Sequence, residues 1–236
     1  MDKIKEKILK KYPCSYELHA HSSPVSVCSD FPYDKFTDTF IEDGFDGVVL
    51  TNHLTPKQLD LYGSFDKAAE FYLEDYRKIK EYAEDRLFLS LGAEIKFREN
   101  NNEYLVYGIC EEDIPKLYSY IDKGIDVFYK EFKNDSNIII QAHPMRPNNI
   151  HANPDSLDGI EVYNFHPHHN AQISAVAEYA RKQNKLITGG TDFHHEYQRK
   201  LSVLRCKKVP KDSYEVAELI KSGDFIFLLN GGVVIP

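Results

Sequence analysis

Tyr16-Glu17-Leu18-His19-Ala20-His21 is the stretch that sets how the rest of the chain is read. As a strand it puts His19 and His21 on one face and Leu18 and Ala20 on the other, because side chains alternate along extended backbone. Two imidazoles side by side, where a short apolar run ends, make half of a metal site. Alone, an H-x-H pair is equally well explained by an exposed edge strand, since so short a motif matches by chance. The same arrangement recurs along the chain, however. The run from Asp46 to Asn52 ends on His53, and Leu87 to Ile95 closes on Glu94. Asn137-Ile138-Ile139-Ile140-Gln141-Ala142-His143-Pro144 is the plainest buried strand and also ends on a histidine. Gly159 to Asn164 carries Glu161, and Lys185 to His194 brings Asp192 and His194 at the i, i+2 spacing of the first pair.

Between these runs the periodicity changes to that of helices. Helices are expected at Lys3–Lys11, Tyr33–Asp43, Phe65–Asp85, Ile114–Phe132 (interrupted near Gly124), Ala171–Gln183 and Ser213–Lys221, with further strands at Tyr104–Ile109 and Phe225–Leu229. Such alternation indicates parallel βαβ units. In a (β/α) barrel the chemistry sits at the C-terminal ends of the strands, which is where the histidines and acids fall. A length of 236 residues suits one such barrel, and no repeat or linker interrupts it. One domain over residues 1–236 is expected, with 1–14 as a helical lead-in.

Composition narrows the function. Hydrophobic residues at 42% and charged residues at 28% match a soluble globular protein. No apolar run approaches the roughly 20 residues of a membrane span, and the charged start Met1–Lys7 does not read as a signal peptide. Cys14, Cys28, Cys110 and Cys206 are widely spaced with no C-x-x-C pair, which argues against a disulfide framework and a zinc ribbon and points to a reducing cytoplasm. A net charge of −8 is unsuited to extended nucleic-acid binding but leaves room for a small anion held by metals or a few placed cations.

His19, His21, His53, Glu94, His143, Asp192 and His194 together supply five imidazoles and two carboxylates. That mixture suits zinc, manganese or iron better than calcium or magnesium. It also exceeds the three or four ligands of one catalytic zinc, so at least two divalent ions are implied. In order, E-L-H-A-H-S, V-V-L-T-N-H, G-A-E, Q-A-H-P, G-I-E-V-Y-N and G-G-T-D-F-H resemble the PHP (polymerase and histidinol phosphatase) family from Tyr16 to about Phe227. The resemblance implies a distorted (β/α)7 TIM-like barrel holding two or three metals. It also implies hydrolysis of a small phosphate monoester, histidinol phosphate or a nucleotide or sugar phosphate, by water activated in the multinuclear site. It places His19 and His21 on one metal, Glu94 as a bridge, Asp192 and His194 completing the cluster, and His53 and His143 on the neighbouring metals. Glu94, His143 and Asp192 form its catalytic centre.

The chain departs from that pattern in places. Asn52 stands where the family usually has Asp, and Tyr104 where many phosphoesterase members have a ligand histidine. The loop after His21 is longer and offers Cys28 or Asp30 as a further ligand. Glu161, a strand glutamate facing the core, would be costly without a partner and is expected near the cluster as ligand support or substrate contact. Phe165 to Asn170 opens a helix, where backbone N–H groups favour anions, so His166, His168 and His169 are candidates for phosphate contact. Arg146 is the best-placed cation, since guanidinium matches phosphate bidentately. Lys96 and Arg98 are expected in a solvated loop, and His151 and His195 on the surface. Two other functions stay open: amidohydrolase-type C–N hydrolysis, which also uses H-x-H on a barrel strand, and a non-catalytic metal-binding accessory module. The sequence does not decide the oligomeric state.

Overall fold

The structure, a computed structural model, describes residues 2–236 as a mixed α/β fold built on two six-stranded sheets. Helix α1 (Asp2–Lys11) runs into β1 (Cys14–Ala20), whose end carries the first histidine pair. After α2 (Tyr33–Glu42), β2 (Gly47–Leu50) lies parallel to β1 and continues past Thr51 and Asn52 as the short β3 (His53–Leu54). Helices α3 (Pro56–Tyr62) and α4 (Phe65–Ala83) follow. The expected strand over Leu87–Ile95 is two, β4 (Phe88–Leu91) and β5 (Ala93–Lys96), divided at Gly92. A Cβ at Gly92 would stand 2.7 Å from Val49 Cγ1, so a larger residue would push into the core at this crossing between sheets.

Next come β6 (Glu103–Tyr107), α5 (Ile114–Ser119), α6 (Ile125–Phe132), β7 (Ile138–Gln141) and β8 (Gly159–Asn164). The chain ends with α7 (Ile173–Lys182), β9 (Leu186–Gly190), β10 (Ser202–Cys206), α8 (Ser213–Ser222), β11 (Phe225–Leu229) and β12 (Gly232–Val234). One sheet has the order β12-β11-β10-β1-β2-β4 and the other β3-β5-β6-β7-β8-β9.

One expectation needs correction. The pairings are not all parallel: β5–β6, β6–β7, β1–β10, β10–β11 and β11–β12 are antiparallel. Phe97–Asn102, the link from β5 to β6, is far shorter than the dozen or more residues a parallel crossover takes. At the other end, Asn230 (φ 46°) and Gly231 (φ 78°) make a two-residue left-handed turn that forces a hairpin. The strands group as two sheets of six.

The sheets are stitched where they meet. Phe193 N–H donates to the His19 carbonyl and His21 N–H to the Phe193 carbonyl, each at 3.0 Å. Gly92 N–H donates to Leu50 O at 2.9 Å and Glu94 N–H to Asn52 O at 3.1 Å. These joints bring the ends of β1, β3, β5 and β9 to one place. Around them lie two apolar clusters, one including Phe36, Tyr72, Leu91 and Phe128, the other Tyr16, Leu105, Ile140 and Phe227. No helix among the described residues is long and apolar enough to cross a membrane.

Candidate metal centre

His19 and His21 sit fully buried at the end of β1 with ring centroids 5.0 Å apart. His19 Nε2 lies 3.3 Å from Glu94 Oε1 and 3.3 Å from Asp192 Oδ1. His21 Nε2 lies 3.2 Å from the same Asp192 oxygen and 3.5 Å from Glu94 Oε2. Yet His19 Nε2, His21 Nε2, Glu94 Oε2 and Asp192 Oδ1 are buried without a well-aligned hydrogen bond among the described residues, although His53 Nδ1 lies 2.8 Å from Glu94 Oε2. Leaving one such group unsatisfied costs about 1–3 kcal/mol, so converging them at one point needs a shared positive partner. One donor atom from each of these four residues lies within 4.8 Å of all the others, a set that fits a divalent cation with nitrogen and carboxylate ligands. His21, His53 and His194 form a second such group, and His53, Glu94 and Glu103 a third. His53 Nε2 faces His194 Nε2 at 3.4 Å.

What lies behind each imidazole aims it. His19 Nδ1–H donates to Glu161 at 2.8 Å and so turns Nε2 towards the cluster. The other Glu161 oxygen accepts from His143 N–H at 3.1 Å and from Asn164 Nδ2 at 3.0 Å. His21 Nδ1 meets Ser26 Oγ at 3.1 Å, and Ser26 Oγ donates to Asn52 Oδ1 at 2.8 Å. Asn52 Nδ2 donates in turn to Asp75 of α4 at 2.9 Å. Where the resembling family has Asp, this chain therefore has an amide, and a buried carboxylate reaches it from a helix instead. His194 Nδ1–H donates to the Asp192 carbonyl at 2.7 Å, and Gln198 Nε2 donates to that carbonyl as well. The Gly189-Gly190 pair has a steric reason: a Cβ on Gly190 would lie 2.5 Å from the Cβ of His19. His143 (φ 26°) and Asp192 (φ 53°) both hold left-handed backbone, which for residues other than glycine costs about 1–3 kcal/mol and gathers at functional sites.

The electrostatics divide the histidines. Burial alone would depress His19, but the carboxylates of Glu161, Asp192 and Glu94 outweigh it and hold its pKa well above the ordinary value. Burial and the neighbouring His194 and His53 drive His21 well below it, so His21 offers a neutral ligand nitrogen. Burial pushes Glu94 and Asp192 up, yet the charge on His19, with His143 for Glu94 and Arg146 for Asp192, keeps both well below the usual carboxylate range. A cation entering here would displace the His19 proton, so uptake should release protons.

The structure brings together all seven residues of the sequence constellation. Glu161 stands behind them with both oxygens engaged. Cys28 is exposed, and the neighbouring His194 and His53 imidazoles outweigh burial and lower its thiol to about 6. Asp30 turns outward to His195 Nδ1 at 2.7 Å. Arg146 pairs with Asp192 and, at 3.1 Å, with Asn164 Oδ1, and its Nε is buried without a partner among the described residues. His166 has a nitrogen within 4.8 Å of donor atoms of Asp192 and His194, and burial pushes its pKa down to about 4. His168 and His169 are exposed on the same loop. Lys96 pairs with Glu103, Arg98 with the surface acids Asp60 and Asp122, and Tyr104 is buried against Asn102.

Glu103, Ser26, Asp75 and Gln198 were not among the residues singled out from sequence. Glu103 lies at the start of β6, 3.6 Å from His143 Nε2. An antiparallel strand delivers its first residue to the rim where its parallel neighbours deliver their last.

No family model matches the chain, and no curated protein matches it. Solved structures do. A two-domain protein from Bacteroides vulgatus containing a predicted PHP-like metal-dependent phosphoesterase aligns with 92% of this chain at 16% identity and a TM-score of 0.63. This chain spans only 64% of that protein's length. PsfC from Pseudomonas syringae aligns with 86% of this chain and 88% of its own at 13% identity, TM-score 0.58. At such identities the likeness is one of fold. The first of these neighbours contains a domain predicted to be of the PHP-like kind to which the motifs point.

Proposed function

We propose that the chain is a metal-dependent phosphoesterase acting on a small phosphate monoester, with residues 1–236 forming one domain shaped as a distorted TIM-like barrel. Support for the shape comes from the backbone bonds that join the end of β1 to the segment after β9, and β2–β3 to β4–β5, where the two sheets meet. The observation that carries the function is the convergence of the unpartnered atoms of His19, His21, Glu94 and Asp192. His19, His21, Glu94 and Asp192 would hold one cation, His21, His53 and His194 a second, and His53, Glu94 and Glu103, with His143 alongside, a third. Zinc, manganese and iron all suit these donors.

Bound divalent cations lower the pKa of water from 15.7 towards about 7 and stabilise charge on phosphoryl oxygens. The protein's own groups supply the rest. Glu94, His143 and Asp192 surround the reacting centre, and Glu161 keeps His19 in register with them. Arg146 Nε would donate to a non-reacting phosphate oxygen, where fixed cations are worth most as charge develops. His166, nearest to Asp192 on its loop, would contact the same phosphate, with His168 and His169 further out. The test is release of inorganic phosphate from a panel of monoesters by protein loaded with manganese, zinc or iron. We expect turnover that a chelator abolishes and added metal restores. A fully metal-loaded protein that releases none would overturn the reading in favour of a binding module, and cleavage of amides alone in favour of an amidohydrolase.

Cys28 we propose as a further thiolate ligand beside His53 and His194, the two imidazoles that lower its thiol. The cobalt(II) form should then show a thiolate-to-cobalt absorption band in the near ultraviolet that Cys28→Ser lacks. Identical spectra for the two proteins would remove Cys28 from the site.

A further inference from the structure

A cavity of about 480 Å³ opens beside the candidate metal centre, and its chemistry is unlike the centre's. His53 and Glu103 line it, and both belong to one candidate ligand group, so cavity and centre share a wall. The remaining walls are largely apolar: Val25 and Val27 from the loop after β1, Leu61 and Tyr62 from α3, and Phe71 from α4. Tyr62 stacks on Phe71 with ring centroids 4.8 Å apart. Val27 and Leu61 are 85% and 75% exposed, two of the most exposed large apolar side chains among the described residues. Single surface apolar residues need no account, but three segments that converge on one concavity do.

Apart from the exposed Lys57, the polar side chains of the same walls are already committed. Gln58 Oε1 accepts from Thr55 N–H at 2.9 Å, and Gln58 Nε2 donates to the Val25 carbonyl at 3.0 Å. Thr55 Oγ1 accepts from Gln58 N–H, and Lys96 pairs with Glu103 at 3.7 Å. A sugar or ribose entering here would lose hydrogen bonds to water and gain few in return. An apolar group gains contact without that loss, and the volume lies in the range of ligand pockets.

We propose that this cavity receives the organic group of the substrate and that the group is apolar, making the preferred substrates aromatic or aliphatic phosphate monoesters. The inference rests on the phosphoesterase reading and narrows its substrate class. The test pairs a binding measurement with turnover on manganese-loaded protein. Benzyl phosphonate and methyl phosphonate, which cannot be hydrolysed, are titrated by calorimetry. Turnover of benzyl phosphate is compared with that of glycerol 3-phosphate, both esters of alkyl alcohols. The benzyl compounds should be favoured by about 10–100-fold in affinity and in kcat/KM, the range that apolar pocket contacts supply. Leu61→Asp and Val27→Asp, at exposed positions on which folding does not depend, should each cut that preference about tenfold. Equal or absent binding of the two phosphonates, or a preference that neither variant moves, overturns the inference. A benzyl preference in binding with no ester turned over supports the pocket and defeats the hydrolytic reading. Equal turnover of both esters does the reverse.

Discussion

His19→Ala is expected to lower kcat/KM for the proposed phosphate-ester hydrolysis by about a thousandfold or more and to strip metal from the protein. The reason is position. Among the described residues His19 Nε2 is the one nitrogen within 3.3 Å of both Glu94 and Asp192, and its other nitrogen is tied to Glu161. Removing it takes a ligand from the centre and takes one buried partner from each of Glu94, Glu161 and Asp192. A bound cation is worth several kcal/mol of charge stabilisation, and about 1.4 kcal/mol corresponds to tenfold in rate, so the loss is of that order. Breaking buried ion pairs also costs stability, by about 3–5 kcal/mol, so the variant is read alongside Asp192→Asn, which keeps the shape of the side chain. Metal content by mass spectrometry and kcat/KM should fall together in both, while circular dichroism stays native-like. Wild-type turnover in either variant would remove the proposed centre.

The site was more legible in the sequence than the sheet that holds it. Each of His53, Glu94, His143 and Asp192 lies just at or beyond the end of an apolar run, and a strand's end is a local feature that composition marks well. Strand direction is not local. The short link after β5 and the Asn230-Gly231 turn force reversals that a pattern of alternating runs and helices hides. Glu103 was missed for the same reason: on an antiparallel strand the ligand stands at the beginning, where a search of strand ends does not look. Helix α3 does have a local signature, Thr55-Pro56-Lys57-Gln58, which forms a capping box with proline at the first turn. It is only seven residues long, too short for a periodic face, and it builds a wall of the apolar cavity. Asp75 was legible only as one more charge on α4, although it is buried and closes the chain of bonds from Asn52 to His21. Remote partners of that kind leave no spacing to read.

Glu17→Gln should make the protein more stable at alkaline pH and change little at acid pH. Glu17 is 1% exposed; its Oε1 accepts from His19 N–H at 2.9 Å and Thr191 N–H at 3.1 Å, and its Oε2 from the Thr191 hydroxyl at 2.8 Å. Burial outweighs these three donors and pushes the carboxyl up to about 7, against an ordinary 4.5. A raised acid binds its proton more tightly folded than unfolded, so its contribution is fully present below about pH 4.5 and is lost as pH rises through about 7. By pH 8 the loss amounts to roughly 3 kcal/mol. Glutamine is neutral and can accept the same two backbone N–H groups, while the Thr191 hydroxyl can rotate to accept from its amide. Urea unfolding of both proteins at pH 5 and pH 8, with chelator throughout so that metal occupancy does not contribute, isolates this one group. The comparison is needed because Glu94 and Asp192, whose pKa values are lowered, contribute with the opposite sign, losing stability as pH falls. If Glu17→Gln were the less stable protein at pH 8, the donors around residue 17 would require a negative charge. The link they make between β1 and Thr191, which sets His19 against Asp192, would then be an ionic one.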